Sequence, residues 1–241
     1  MDFGTAAFWV ALLQIIWVNI LLSGDNAVVI ALAARSLPPK QQKQAIAIGS
    51  GAAIVMRIVL TIVAAQLLQL PWLKLIGALL LLYIGVTLLL PEDEEDGGGE
   101  GAKKGMIAAV RTILIADLVM SLDNVIAVAA AAKGSTVLLV LGLAISIPLV
   151  IFGSTLLIKV IERFPIVVWL GAALLGYIAG EIVIDDPALK GSFESLAHGV
   201  GMDHHAMGTA LGAVGALIVV VVGKVLLMRR SGGAESAGHA G

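Results

Sequence analysis

Ser23-Gly24-Asp25-Asn26-Ala27-Val28-Val29-Ile30-Ala31 and Ser121-Leu122-Asp123-Asn124-Val125-Ile126-Ala127-Val128-Ala129 are two versions of one segment, 98 residues apart. Ser, Asp and Asn keep the same places in both, inside runs that are otherwise apolar. Apolar letters alone would match by chance in any Ala/Leu/Val-rich helix. An aspartate inside a membrane helix costs about 3 kcal/mol on insertion scales, so two of them at one register argue for duplication. A second echo keeps the order: Gly77-Ala78-Leu79-Leu80-Leu81-Leu82-Tyr83-Ile84 recurs as Gly171-Ala172-Ala173-Leu174-Leu175-Gly176-Tyr177-Ile178.

Around these segments the 241-residue chain is 59% hydrophobic and 13% charged, against about 25% charged in a soluble domain. Seven apolar runs lie near 6–34, 45–68, 72–90, 106–132, 137–158, 166–184 and 207–228. Each is long enough, as a helix, to cross a hydrocarbon core of about 30 Å. The expected fold is an all-α membrane protein of seven transmembrane helices. Residues 1–90 form a first three-helix repeat and 106–184 a second. Three spans per repeat make the copies cross in opposite directions, an inverted 3+3 arrangement. Between them, 91–105 reads as a flexible acidic, glycine-rich cytoplasmic linker. An extracytoplasmic loop (185–206), a C-terminal seventh helix (207–228) and a cytoplasmic tail (229–241) complete the expectation.

With seven spans, one side collects Arg35, Lys40, Lys43, Lys103, Lys104, Arg111, Lys159, Arg163, Lys224, Arg229 and Arg230; the other collects only Lys74, Lys133 and Lys190. The positive-inside bias makes the first side cytoplasmic, with the N-terminus outside and the C-terminus inside a cell membrane. Arg57 alone lies deep in a span. The chain has no cysteine, which excludes disulfides, thiolate metal sites and cysteine nucleophiles. A net charge of −2 without a basic stripe sets nucleic acid aside as a partner.

Two carboxylates, Asp25 and Asp123, placed near one another at low dielectric repel unless one holds a proton or a cation lies between them. Their neighbours are oxygen donors: Asn26 and Asn124, Ser23 and Ser121, and the pair Asn19 and Asp117 six positions upstream. Such a set suits hard divalent cations such as Mg²⁺, Ca²⁺ or Mn²⁺. Using Asp25 and Asn26 on one ion is easier at a helix break, which Gly24 permits in the first copy and Leu122 disfavours in the second. The bland reading is a pair of buried carboxylates satisfied by Ser, Asn or Arg57. Asp117 has two readings, metal ligand or ion-pair partner of Arg57 or Arg111. Glu181 is a proton carrier or an interfacial side chain; the segment with His198, His204 and His205 is a metal-collecting loop or a solvated one. Gly77, Gly171, Gly176 and Gly180 fit close helix packing.

Extended to Ala34 and read with Ser121–Ala127, the two Asp-Asn segments resemble the TerC family, over roughly residues 8 to 228. The resemblance implies export of manganese from the cytoplasm, with Asp25 and Asp123 as transport residues and Asn26 and Asn124 beside them. Asn19 stands where the second half has Asp117, so strict ligand symmetry does not carry over. The expected function is therefore a Mn²⁺ exporter working by alternating access, with protons as the coupling ion considered. Mn²⁺ is then substrate rather than cofactor, the bilayer is the other partner, and no enzyme activity is expected. The rivals are a membrane scaffold that helps other proteins acquire metal or assemble, an intramembrane aspartyl enzyme, and a carrier of a non-metal substrate such as an amino acid or an oxyanion, for which only Arg57 offers positive charge.

Overall fold

A computed structural model describes residues 6–91, 99–132 and 135–238, and everything in it is helix or short connection. The elements are α1 (Ala6–Leu21), α2 (Gly24–Ala34), α3 (Pro39–Leu67), α4 (Leu73–Leu89), α5 (Gly99–Ala132), α6 (Thr136–Arg163), α7 (Ile166–Val183), α8 (Lys190–Val200) and α9 (His204–Gly238). Five of them, within α3, α5, α6, α7 and α9, are long and apolar enough to cross a membrane. Phe8–Val18, Gly24–Ala34 and Leu73–Leu89 are shorter apolar helices. Large apolar side chains such as Trp9, Val55, Leu79, Phe152 and Leu217 face outward, as a lipid-facing surface requires.

Three stretches outside the predicted spans differ from the sequence expectation. The helix of α5 begins at Gly99, so it takes in 99–105 of the predicted linker, whereas 92–98 lie outside the described residues. The predicted loop 185–206 contains α8, whose Ala197 and Phe193 pack with Ile184 and Met207. Its short apolar stripe is diluted by Lys, Ser, Glu and His, which hides it from a search for membrane-length runs. Residues 229–238 of the predicted tail continue α9 without a break.

The apolar run 6–34 is two helices. Leu22 donates the last backbone bond of α1, to the Val18 carbonyl at 2.9 Å; Ser23 adopts a non-helical φ of −114° and ψ of 1°; the Ala27 N–H on the Ser23 carbonyl, 3.0 Å, starts α2. Gly24 offers no side chain to hold the helix together across this point. At the equivalent register α5 carries Leu122 and stays continuous.

Helix neighbours occur in matching pairs. The broken helix α1/α2 packs along α6, and α3 packs along α5. Contacts of α4 with α5 match those of α7 with α2; α4 lies along α7, α3 crosses α6 and α1/α2 cross α5. Exchanging residues 6–89 for 99–183 maps these pairs onto one another, although the small contact of α6 with α7 has no such counterpart between α3 and α4. Individual contacts repeat as well. Gly49 of α3 lies under Ile113 of α5, and Gly142 of α6 lies under Ile15 of α1. The isoleucines are 98 residues apart, the glycines 93. Thr61 Oγ1 donates to the Arg57 carbonyl at 2.7 Å and Ser154 Oγ to the Val150 carbonyl at 2.8 Å, again 93 apart. α9 stands outside the exchange, against α7 and α4. There Gly176 and Gly180 of α7 bring their backbone onto Gly215 and Leu211 so closely that a methyl group on either glycine would collide with a carbonyl oxygen.

The two ends of the bundle are tied differently. Arg35 donates to the Leu88 carbonyl at 2.8 Å and Arg230 of α9 to the Pro91 carbonyl at 3.3 Å, gathering the ends of α2 and α4 against α9. At the opposite end fully buried Asp186 accepts backbone N–H groups from Trp72 and Ala188 at 2.9 Å and from Leu75 at 3.1 Å. This carboxylate caps α4 and fixes Trp72 at φ +69°, a left-handed conformation unusual for a bulky residue. Burial pushes the Asp186 carboxyl upward, and the backbone N–H groups of Ala188, Trp72, Leu75 and Lys74 more than reverse it, leaving the group below its ordinary range.

Candidate cation site

At the break in α1/α2 the Leu22 carbonyl accepts two side-chain N–H bonds, from Asn26 Nδ2 and from Asn124 Nδ2, both at 3.2 Å. One asparagine comes from each Asp-Asn motif, so the two motifs meet at a single oxygen. Asn26 is 3% exposed, and its remaining amide oxygen, Oδ1, is buried without a hydrogen-bond partner. A buried, unsatisfied amide oxygen forgoes about 1–3 kcal/mol unless something completes it. Next to it half-buried Asp25 accepts the Asn26 backbone N–H at 2.8 Å, in the first turn of α2, where helical N–H groups lack intrahelical partners. The last carbonyls of α1 end at the same place, so carboxylate, amide and carbonyl oxygens converge at one discontinuity.

Behind this oxygen cluster lies a buried cation. Arg57 of α3 donates from Nε to Ser121 Oγ at 3.0 Å, from Nη1 to Ser23 Oγ at 3.3 Å, and from Nη2 to Asp117 Oδ1 at 2.5 Å. Ser121 Oγ in turn donates to Asp117 Oδ2 at 3.2 Å. All four residues are buried. Both oxygens of Asp117 are therefore engaged, and of its two sequence readings the ion pair with Arg57 is the one present; Arg111 is exposed. Ser23 does not cap α2, because its hydroxyl faces the guanidinium instead.

Of the residues singled out by sequence, the structure brings together Asp25, Asn26, Asn124, Ser23, Ser121 and Asp117 within this network. The backbone of Asp123 continues α5, one position before Asn124; the side chains of Asp123, Asn19 and His198 lie outside the described residues. Glu181 is elsewhere, at the far end of α7, accepting from Tyr177 Oη at 3.4 Å. It lines a cavity of about 180 Å³ with Asp185, His204 and His205, and His204 Nε2 lies 3.4 Å from Asp185 Oδ1. Among the described residues no three His, Asp or Glu side chains are arranged to hold a metal ion. Sequence reading named Arg57 as a partner for carboxylates or as the positive charge an oxyanion would need. Its bridging of Ser23 and Ser121 was signalled by the 98-residue offset, which makes those two serines equivalent and gives one guanidinium reason to lie between them.

The family model for "Integral membrane protein TerC family" matches residues 4–231. The chain belongs to the TerC family. This TerC-family chain is 44% identical over 183 residues to the membrane protein YjbE of Bacillus subtilis (strain 168), covering 76% of this chain and 83% of that one. It is 31% identical over 131 residues to the membrane protein YceF of the same organism, about half of each chain. With the inner membrane protein YoaE of Escherichia coli (strain K12) it shares 27% identity over 198 residues, which is 74% of this chain and 38% of that longer protein. No solved structure matches it. It is thus an integral, multi-pass membrane protein.

Proposed function

We propose that this TerC-family protein is a secondary transporter that exports a divalent cation, Mn²⁺ first among the candidates, through the break in its first helix. The observation that carries the reading is the buried, unpartnered Oδ1 of Asn26 beside Asp25, where both motif asparagines turn onto the Leu22 carbonyl. A structural lock has no need of an unsatisfied acceptor, whereas a hard cation completes it with the carboxylate and a backbone oxygen. Half-helix ends that line a site inside the bilayer are the usual place for a coupling ion or substrate. Asp25, Asn26, Asp123 and Asn124 form the proposed donor set; Asp117 is left out because Arg57 and Ser121 occupy it.

Seven crossings, with α1 and α2 together forming the first, and two inverted halves belong to this reading. Supporting it are the exchange of helix neighbours and the paired contacts of Gly49 with Ile113 and Gly142 with Ile15. In this reading the N-terminus is outside and the C-terminus cytoplasmic, supported by the excess of Lys and Arg on one side. Rocking of one half against the other then exposes the site alternately, and protons entering on the carboxylates are the natural counter-flow. Manganese is favoured by what the family resemblance implies, since oxygen donors alone admit every hard divalent ion.

The test is uptake of Mn²⁺ against Mg²⁺ and Ca²⁺ into inside-out proteoliposomes, for the wild type, Asp25→Asn and Asp123→Asn. Manganese-selective flux that disappears in both variants is expected. Absence of any divalent flux from folded wild-type protein would turn the reading toward a membrane scaffold.

A further inference from the structure

A buried guanidinium beside a cation path repels the substrate unless it takes part in the cycle. Arg57 reaches three groups at once: Ser23 at the helix break, and Ser121 and Asp117 on α5. Ser23 and Ser121 are equivalent residues of the two motifs, so the guanidinium straddles the junction of the halves. The registers of the paired contacts show what stands opposite. In α6 the place of Arg57 is taken by Val150, and in α1 the place of Asp117 is taken by Asn19. Each pair spans the two halves: Arg57 of the first with Asp117 of the second at one place, Asn19 of the first with Val150 of the second at the other; each pair is neutral.

We propose that Arg57 is a tethered counter-ion. With no substrate bound, it bridges Ser23 and Ser121 and clamps the two motifs together. When a divalent cation settles beside Asp25, the guanidinium releases Ser23 and stays with Asp117, its charged partner at 2.5 Å. Arg57 is a positioning residue that competes with the substrate for the junction, so it weakens loading and hastens release. This inference rests on the cation-carrier reading.

The experiment compares wild type, Asp117→Asn, Arg57→Lys and the double variant Arg57→Val/Asp117→Asn, measuring Mn²⁺ transport KM and maximal rate in proteoliposomes. The double variant takes the uncharged Val and Asn pair found at the equivalent register of α6 and α1 and is expected to be monodisperse. Its KM and maximal rate should fall together by roughly tenfold, the scale of one charge-assisted hydrogen bond that loading no longer has to break. Asp117→Asn alone removes the carboxylate that offsets the guanidinium charge and should raise KM at least about tenfold. Arg57→Lys keeps the charge but loses the fork that spans three partners, so its KM should fall between those of wild type and the double variant. A double variant with wild-type KM and rate overturns the proposal and makes the pair a structural brace. A double variant that fails to fold, beside an Arg57→Lys protein with wild-type KM, overturns it too. Wild-type protein that carries no divalent ion defeats the carrier reading itself, which separates the two failures.

Discussion

Replacing Gly142 with alanine should destabilise the protein far more than replacing Gly49, although the two glycines hold equivalent places. A methyl group at Gly142 would overlap Ile15 Cγ2 and sit 2.9 Å from Ile15 Cβ. Relaxed carbon contacts are about 3.5–4.0 Å. Ile15 is fully buried and its Cβ is fixed to the backbone, so side-chain rotation gives no relief and α1 must retreat from α6 by about 1 Å. Overpacking of this kind costs about 1–3 kcal/mol, and the better helix propensity of alanine returns at most about 1 kcal/mol. The net loss for Gly142→Ala is about 1–2 kcal/mol. At Gly49 the nearest atom is the terminal Cδ1 of Ile113 at 2.9 Å, followed by Cγ2 at 3.1 Å and Cβ at 3.4 Å. A small side-chain adjustment suffices, and cost and gain nearly cancel. Equilibrium unfolding in mixed micelles reads the difference directly. Because α1 runs from Ile15 to the break at Leu22, about 10 Å along its axis, Gly142→Ala should also reduce transport. Equal stability of the two alanine variants would refute the steric argument and the inequivalence of the two halves.

Asn26→Leu separates ligand from lock: a near-isosteric apolar side chain removes the unsatisfied oxygen, so stability should hold or rise by about 1 kcal/mol while divalent flux drops at least about tenfold. Unchanged flux would remove Asn26 from the donor set. Asp186→Ala should cost about 2 kcal/mol through the lost α4 cap and the freed Trp72 backbone, seen as a lower unfolding midpoint. Because the Asp186 carboxyl is held below its ordinary value in the folded protein, its contribution is complete above the unfolded-state pKa and fades as pH falls through the folded one. Wild-type stability should therefore decline on acidification with a component missing from Asp186→Ala; parallel curves would contradict this.

The helical character and most helix positions were legible in the chain, because apolar runs of membrane length have few other uses. The break was only half legible: Gly24 permits it and Leu122 disfavours it, but the unbroken apolar run 6–34 reads as one span. α8 was not, since an eleven-residue helix lying against Ile184 and Met207 needs only one short apolar stripe. For the site, the paired Ser-x-Asp-Asn letters pointed to Asp25, Asn26 and Asn124, but periodicity could not tell that the two amides share one carbonyl. That depends on how α5 crosses the break, a tertiary fact. Asp117 shows the same limit: its residue type admitted metal or arginine, and only the position of α3 selects Arg57.

The pairing of Arg57 with Asp117 has an electrical consequence. A lone charge displaced across the full membrane field exchanges about 2.3 kcal/mol per 100 mV with the potential. Arg57 and Asp117 are joined by a short contact, and if they travel together they displace a dipole and no net charge, as neutral Val150 and Asn19 do opposite them. The voltage sensitivity of turnover is then left to the cation, the protons exchanged for it, and the carboxylates of Asp25 and Asp123.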